Sequence, residues 1–230
     1  MFKIHPDLPP VEVNQKIWHY YSLSKFLGMI SSSSIYLCRQ DKFDDSFEGR
    51  MTKKDAAFFD HISPGTAQSM RGDALGCVYS NCWTQSDVDE YVLWGSYASL
   101  KDGVAVQSTV LKLISALDAR DERAVYVSSV QYIDYDKDYS FGMTGGKANM
   151  IAPHFSKRPY FAAEKELRVM YWDTNGKFEN TPEGLNFKVD LDALIESVYV
   201  APGSYSWFKD VVAEVLDRYG LKKEVRKSGI

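Results

Sequence analysis

Apolar residues recur along this chain in two periods. Leu23, Phe26, Leu27 and Ile30 fall at helical spacing, and Ser22 stands where an N-cap belongs. Before them Ile17-Trp18-His19-Tyr20-Tyr21 is short and aromatic and predicts a strand. Ser31 to Ser34 stops the helix, and Ile35 to Cys38 resumes as a strand. Further strands are expected at Cys77 to Trp83, Gly103 to Val106, Val125 to Ile133, Leu185 to Val189 and Val198 to Val200. Helices are expected at Asp87 to Ala98, Thr109 to Leu117 and Tyr205 to Tyr219, with a short one opening at Asp190. Leu221 to Val225 closes the chain. Asp45 and Glu48, within Phe43-Asp44-Asp45-Ser46-Phe47-Glu48-Gly49, have capping-box spacing and predict a tight corner.

Two stretches stand apart. Asp134 to Arg158 holds three glycines, one proline and mixed charge, and predicts a long loop of a kind that is uncommon unless functional or disordered. Phe161 to Trp172 reads as a strand carrying unusual charge. Scattered helices among hairpin-like strands imply an α+β class. The expected architecture is a mixed, mostly antiparallel sheet, continuous or split, flanked by helices. Residues 1–16 form an extended lead-in and residues 17–230 a single domain.

Composition narrows the function. With 230 residues a substantial core is expected, and 45% apolar with 25% charged residues is ordinary globular usage. The net charge of −4 removes any global electrostatic case for nucleic acid, although a local patch stays open. Cys38, Cys77 and Cys82 are odd in number and lack CxxC spacing, which fits reduced thiols and a cytoplasmic protein. Met1 to Gln15 has three prolines and no apolar run, so a signal peptide is not expected, and neither is a membrane span. His5, His19, His61 and His154 show no ligand spacing, so no metal is expected. Gly145-Gly146-Lys147 departs from a phosphate loop, with Phe141 at the first glycine position and Ala148 in place of Ser or Thr.

The segment Glu164-Lys165-Glu166-Leu167-Arg168-Val169-Met170-Tyr171-Trp172 carries the strongest chemical signal. Period-two alternation puts Leu167, Val169 and Tyr171 on one face and Glu164, Glu166, Arg168, Met170 and Trp172 on the other. Two carboxylates roughly 7 Å apart beside a guanidinium make either a polar site or a solvated face of weak ion pairs. Trp83, Trp94 and Tyr97 are either aromatic core or a stacking wall for a flat ligand; the last two are one helical turn apart, which puts both rings on one side. His19 alone is an ordinary strand histidine, and only gains weight in combination.

The ordered motifs Trp18-His19-Tyr20-Tyr21, Phe43 to Glu48, Cys82-Trp83, Leu93 to Ala98, Gly103 to Val106 and Glu164 to Arg168 resemble a bacterial family known only as a domain of unknown function. That resemblance spans nearly the whole chain, through Val198 to Pro202 and the last helix and strand. More distantly, an aromatic–His first strand, an early helix and a late strand with E-x-E look like the ADP-ribosyltransferase fold. The resemblance implies NAD as substrate, His19 at its adenosine ribose and counted among the catalytic residues, Glu166 at the nicotinamide ribose, and Tyr20 among the NAD-binding residues. It makes Glu164 the accessory glutamate, stacks Tyr97 or Trp94 on nicotinamide, and counts Trp83 and Arg168 among the NAD-binding residues. A toxin or anti-phage effector role, a nucleic-acid or protein acceptor (or water) and an inhibitor protein are further implications. Neither the Y-x10-Y spacing of toxins nor an S-T-S triplet stands where that resemblance would place it.

Those residues suit the chemistry. Breaking the nicotinamide glycosidic bond develops positive charge on the ribose, which a fixed carboxylate stabilises. Arg168 would keep Glu166 ionised. Two other readings use the same residues: a non-catalytic nucleotide- or protein-binding module, and a metal-assisted nuclease with Asp44, Asp45, Glu48, Glu164 and Glu166 as ligands.

Overall fold

The computed structural model describes residues 2–3, 5–65, 75–141, 143–144, 147–148, 150–175 and 181–230. Gly145 and Gly146 of the glycine-rich stretch lie outside them. In chain order the strands are β1 (Phe2–Lys3), β2 (Lys16–Tyr21), β3 (Ser34–Arg39), β4 (Val78–Gln85), β5 (Val104–Thr109), β6 (Val125–Ser129), β7 (Gln131–Tyr132), β8 (Met143–Thr144), β9 (Lys147–Ala148), β10 (Ser156–Lys157), β11 (Glu166–Trp172), β12 (Gly184–Lys188), β13 (Ser197–Val200) and β14 (Glu224–Lys227). The α-helices are α1 (Leu23–Ser32), α2 (Lys53–Ile62), α3 (Tyr91–Tyr97), α4 (Val110–Asp118), α5 (Leu191–Leu194) and α6 (Ser206–Arg218).

Helix formation follows the apolar spacing. Ser22 caps α1 by accepting from Lys25 N, and Phe26, Met29 and Ile30 are buried. Ser33 ends the helix at φ 48°. Thr109 caps α4, which buries Val110, Leu113, Ala116 and Leu117, and α6 buries Phe208, Val212 and Leu216. Each of these side chains except Ala116 contributes about 1.5–3 kcal/mol.

Among the described residues, ten strands form one sheet in the order β1-β6-β11-β4-β2-β5-β13-β14, with β3 joining β4 and β12 joining β3. Only β1–β6 and β13–β14 are parallel within it. The class is therefore α+β with a mostly antiparallel sheet. One face carries the main core, including Ile17, Tyr21, Phe26, Trp83, Leu113, Leu167, Val169 and Phe208. The other carries two separate apolar clusters, one around Trp18, Tyr20 and Trp94, the other around Val78, Phe155 and Met170.

Register determines what lies between those clusters. Trp18 pairs with Thr84, and Thr84 with Glu166, so the three stand in a row on one face. Arg168 opposes Cys82 on the same face, while Leu167 opposes Trp83 on the other. β2 meets β4 only at Ile17–Gln85 and Trp18–Thr84, and β3 meets β4 only at Cys38–Ser80 and Arg39–Tyr79. Asn81, Cys82 and Trp83 thus have no ladder partner on that edge, and a fork opens between β2 and β4 beside Arg168.

Four expectations need correction. The strand expected from Phe161 begins only at Glu166; Pro159 opens a 3-10 turn over Pro159–Glu164, and Lys165 at φ 45° breaks from it into β11. The capping box is Thr52 with Asp55, not Asp45 with Glu48, whose backbone instead closes a turn ending at Gly49 (φ 68°). The first helix residue after β4 is Tyr91, because Asp87 to Glu90 form its approach. The expected long loop contains β10 and a 3-10 turn over Ala152–Phe155, elements too short to produce a period.

Candidate active site

Glu166 opens β11 on the face between the two apolar clusters, and it does not stand in water. It is 4% exposed and Arg168 is fully buried. A buried charge costs several kcal/mol unless paired, so the surroundings must supply partners. Arg168 approaches Glu166 Oε1 at 2.7 Å, donates from Nη2 to Glu48 Oε2 at 2.5 Å and from Nη1 to the His154 carbonyl at 2.6 Å. Lys157 Nζ lies 2.6 Å from Glu164 Oε2, 3.3 Å from Glu48 Oε1 and 3.4 Å from Glu166 Oε2. Phe43 covers the guanidinium and Phe161 the ammonium, with the charges 5.4 and 4.6 Å from the ring centroids.

Three carboxylates therefore face two cations, and the cluster carries one net negative charge. Burial pushes the Glu166 carboxyl up, but Arg168 and Lys157 outweigh it and hold it below the ordinary carboxylate value. Burial opposes the charge on Lys157, yet Glu166, Glu48 and Glu164 raise its pKa, so it remains an ammonium. Burial and the Glu166 charge keep the Cys82 thiol protonated.

The more open end is Glu164, whose side chain is 16% exposed. Tyr97 Oη donates to its Oε1 at 2.5 Å, and half the Tyr97 residue is exposed. Burial and this hydrogen bond to a carboxylate push the phenol's pKa up, so it stays a donor. Glu164 thus leaves the strand expected for it, yet it meets Glu166 through Lys157. The solvated-face reading does not hold for this pair, because Glu166 is buried.

The aromatic residues divide. Trp94 is fully buried, its indole N–H donating to Asp89 and its ring edge-on to Tyr20. It turns inward while Tyr97, at the last turn of α3, turns outward, so the expected one-sided pair is corrected to a single exposed ring. Trp83 is buried on the opposite sheet face, its N–H bonded to Asn81. For both tryptophans the core reading holds. Tyr20 is buried as well, its hydroxyl accepting from Glu90 N.

His19 shares Trp83's face, with ring centroids 5.2 Å apart, so β-alternation sets it across the sheet from Glu166. It stands at the fork, hydrogen-bonded to the Cys82 backbone, while its Nδ1 is buried without a partner. Burial lowers its pKa to about 4, so the ring is neutral at pH 7.

Several contributors escaped the sequence reading. Lys157 gave no signal, being a lone lysine in an apparent loop. Tyr132, whose hydroxyl accepts from Glu166 N, sat in a β-rich run with nothing to single it out. Buried His154 and Gln40 hold one another, His154 Nδ1 lying 2.6 Å from Gln40 Oε1; burial and Arg168 lower the His154 pKa to about 3.

The metal-ligand set expected for a nuclease does not fit. Glu48 converges with Glu164 and Glu166, but an ammonium and a guanidinium fill the space between them. Asp45 pairs with Arg158 at 2.9 Å, and Asp44 points outward. Among the described residues no group of three or more His, Cys, Asp or Glu is placed to hold a metal ion, and no helix is long and apolar enough to cross a membrane. An open groove of about 550 Å³, lined by Arg120, Lys188, Asp190 and Tyr219 among others, contains none of the cluster residues.

No protein-family model and no curated protein matches the chain. Among solved structures it is similar to Thermus sp. 2.9 DarT in complex with NAD+, at a TM-score of 0.45 and 9% identity, covering 95% of this chain and 97% of that one. DarT in complex with ADP-ribosylated ssDNA gives 0.43 and 8%, covering 96% of each chain. DarT in complex with carba-NAD+ gives 0.42 and 8%, covering 95% and 96%.

Proposed function

We propose that this chain is an NAD-dependent ADP-ribosyltransferase-like enzyme that breaks the nicotinamide glycosidic bond. The observation that carries this reading is the net negative charge of the Glu48–Lys157–Glu164–Glu166–Arg168 cluster, ending at Glu164 and the exposed Tyr97. A site of that kind stabilises a cation that forms during reaction.

In this reading the fork is a split in the sheet, and NAD enters along it. The unpartnered Nδ1 of His19 takes a hydroxyl of the adenosine ribose, and Tyr97 packs against nicotinamide. The C1′–N1 bond breaks with its electron pair going to nicotinamide, which leaves neutral. Glu166 stabilises the oxocarbenium left on the ribose, held in place by Arg168. The acceptor's nucleophilic atom bonds to C1′, and Glu164 takes its proton. Trp94 and Trp83 shape the core beneath rather than touching substrate.

The test is nicotinamide release from NAD+ by the protein and by Glu166→Gln, with circular dichroism to verify folding. A loss of about 100-fold or more is expected from removing a transition-state charge partner. Equal release by the folded variant would refute the assignment. With NAD+ as donor, single-stranded DNA, which a DarT complex holds in ADP-ribosylated form, and protein are the acceptors to try first.

One observation favours a non-catalytic binding module instead: the Glu166 carboxylate is paired at both oxygens and 4% exposed. That reading requires NAD+ binding without nicotinamide release, and an affinity unchanged by Glu166→Gln.

A further inference from the structure

Resting on the proposed reading, we infer that Lys157 is a positioning residue that fixes Glu164 and Glu166 in one working geometry. Its ammonium reaches Glu48 at the corner before α2, Glu164 at the end of the 3-10 turn and Glu166 at the start of β11. No other described side chain contacts all three carboxylates. Its own backbone is held by β10, which pairs Ser156 with Gln131 and Lys157 with Tyr132. Tyr132 in turn accepts from Glu166 N at 2.9 Å, so the same short strand pair orients Lys157 and the first residue of β11. The lysine side chain is only 8% exposed, under the ring of Phe161.

The groups facing this ammonium are Glu48, Glu164 and Glu166. Behind them stand Arg168 on β11, Tyr97 on α3, Tyr132 on β7 and Cys82 on β4. Arg168 does not contact Glu164, so Lys157 is the cation that holds it; the remaining contact is the Tyr97 hydroxyl. Removing the ammonium leaves three carboxylates against one guanidinium. A buried cluster with that imbalance takes up a proton, and Glu164 is where it goes because no cation remains beside it. A protonated Glu164 cannot accept the acceptor's proton.

The experiment compares nicotinamide release against pH for the intact protein, Lys157→Met and Lys157→Arg. For Lys157→Met we expect kcat to fall about 10- to 100-fold at pH 7, KM for NAD+ to change by less than about 3-fold, and the acid limb of the profile to move up by about one pH unit or more. Lys157→Arg restores the limb to its original position. Glu48→Gln/Lys157→Met keeps the cluster's net charge as a safeguard against misfolding; Glu164 still lacks a cation beside it there, so the limb moves up again, by less than in Lys157→Met. An acid limb unchanged in a folded Met variant overturns the inference, and so does an Arg variant as shifted as Met. If the intact protein releases no nicotinamide, the enzymatic reading fails on its own. The positioning claim is then read from carbon-13 titration of the glutamate carboxyls: Glu164 titrating at higher pH in Lys157→Met upholds it, and an unchanged curve refutes it.

Discussion

Glu166 and Arg168 show how far single residues can be read from sequence. Alternation within Glu166 to Trp172 put them on one face, and both occupy it. The partner that completes the pair, Glu48, is 120 residues from Arg168, and no local pattern reports such a contact. Lys157 was invisible for the same reason. Two histidines add a pH dependence that their neighbours dictate. Burial lowers His19 to about 4 and His154 to about 3, against an unfolded value of 6.5. Between roughly pH 4 and 6.5 the unfolded chain binds protons that the folded chain does not, so stability falls as pH falls through that window. Each histidine contributes up to about 1.4 kcal/mol per pH unit there. Urea melts should show this slope, and His154→Gln, if it keeps the Gln40 contact, should lower it by about one proton. A slope unchanged in the variant would mean that His154 charges within the fold.

Among the elements, α1, α4 and α6 were legible because each buries a three-and-four stripe against one sheet face. The Pro159–Glu164 turn was not, since its residues continue the polar and aromatic mix of the strand that follows, and only the backbone at Lys165 separates them. α2 is a different case. Asp55 is its one buried residue, and Asp55 Oδ2 accepts from Thr52 N and Oγ1 and from Ser140 N and Oγ, at 2.6 to 3.0 Å. The helix is thus tied to the segment before Phe141 by a polar lock in place of an apolar face. Asp55→Ala should cost about 2–3 kcal/mol in urea unfolding and expose the α2 amides to hydrogen exchange. Unchanged protection in α2 would show that the lock is not what holds it.

At the scale of the whole molecule, the mixed, mostly antiparallel class was readable from the alternation of short strands and helices, while the order of the strands was not. That order places Glu166, Thr84 and Trp18 in one row and opens the fork beside them, and it also puts His19 across the sheet from the carboxylates. A single NAD+ lying along the fork would join these two sides. Linkage also follows: NAD+ that binds the folded chain should raise Tm with the logarithm of its concentration. The most direct measurement is a crystal structure with carba-NAD+, which holds the nucleotide uncleaved. The ligand is expected along the fork between β2 and β4, with an adenosine ribose hydroxyl at His19 Nδ1, the nicotinamide ring against Tyr97, and the Glu166 carboxylate facing the carbocycle that replaces the nicotinamide ribose. Carba-NAD+ seated elsewhere, for instance in the groove of Arg120 and Lys188, or a fork left empty at saturating ligand, would contradict this reading.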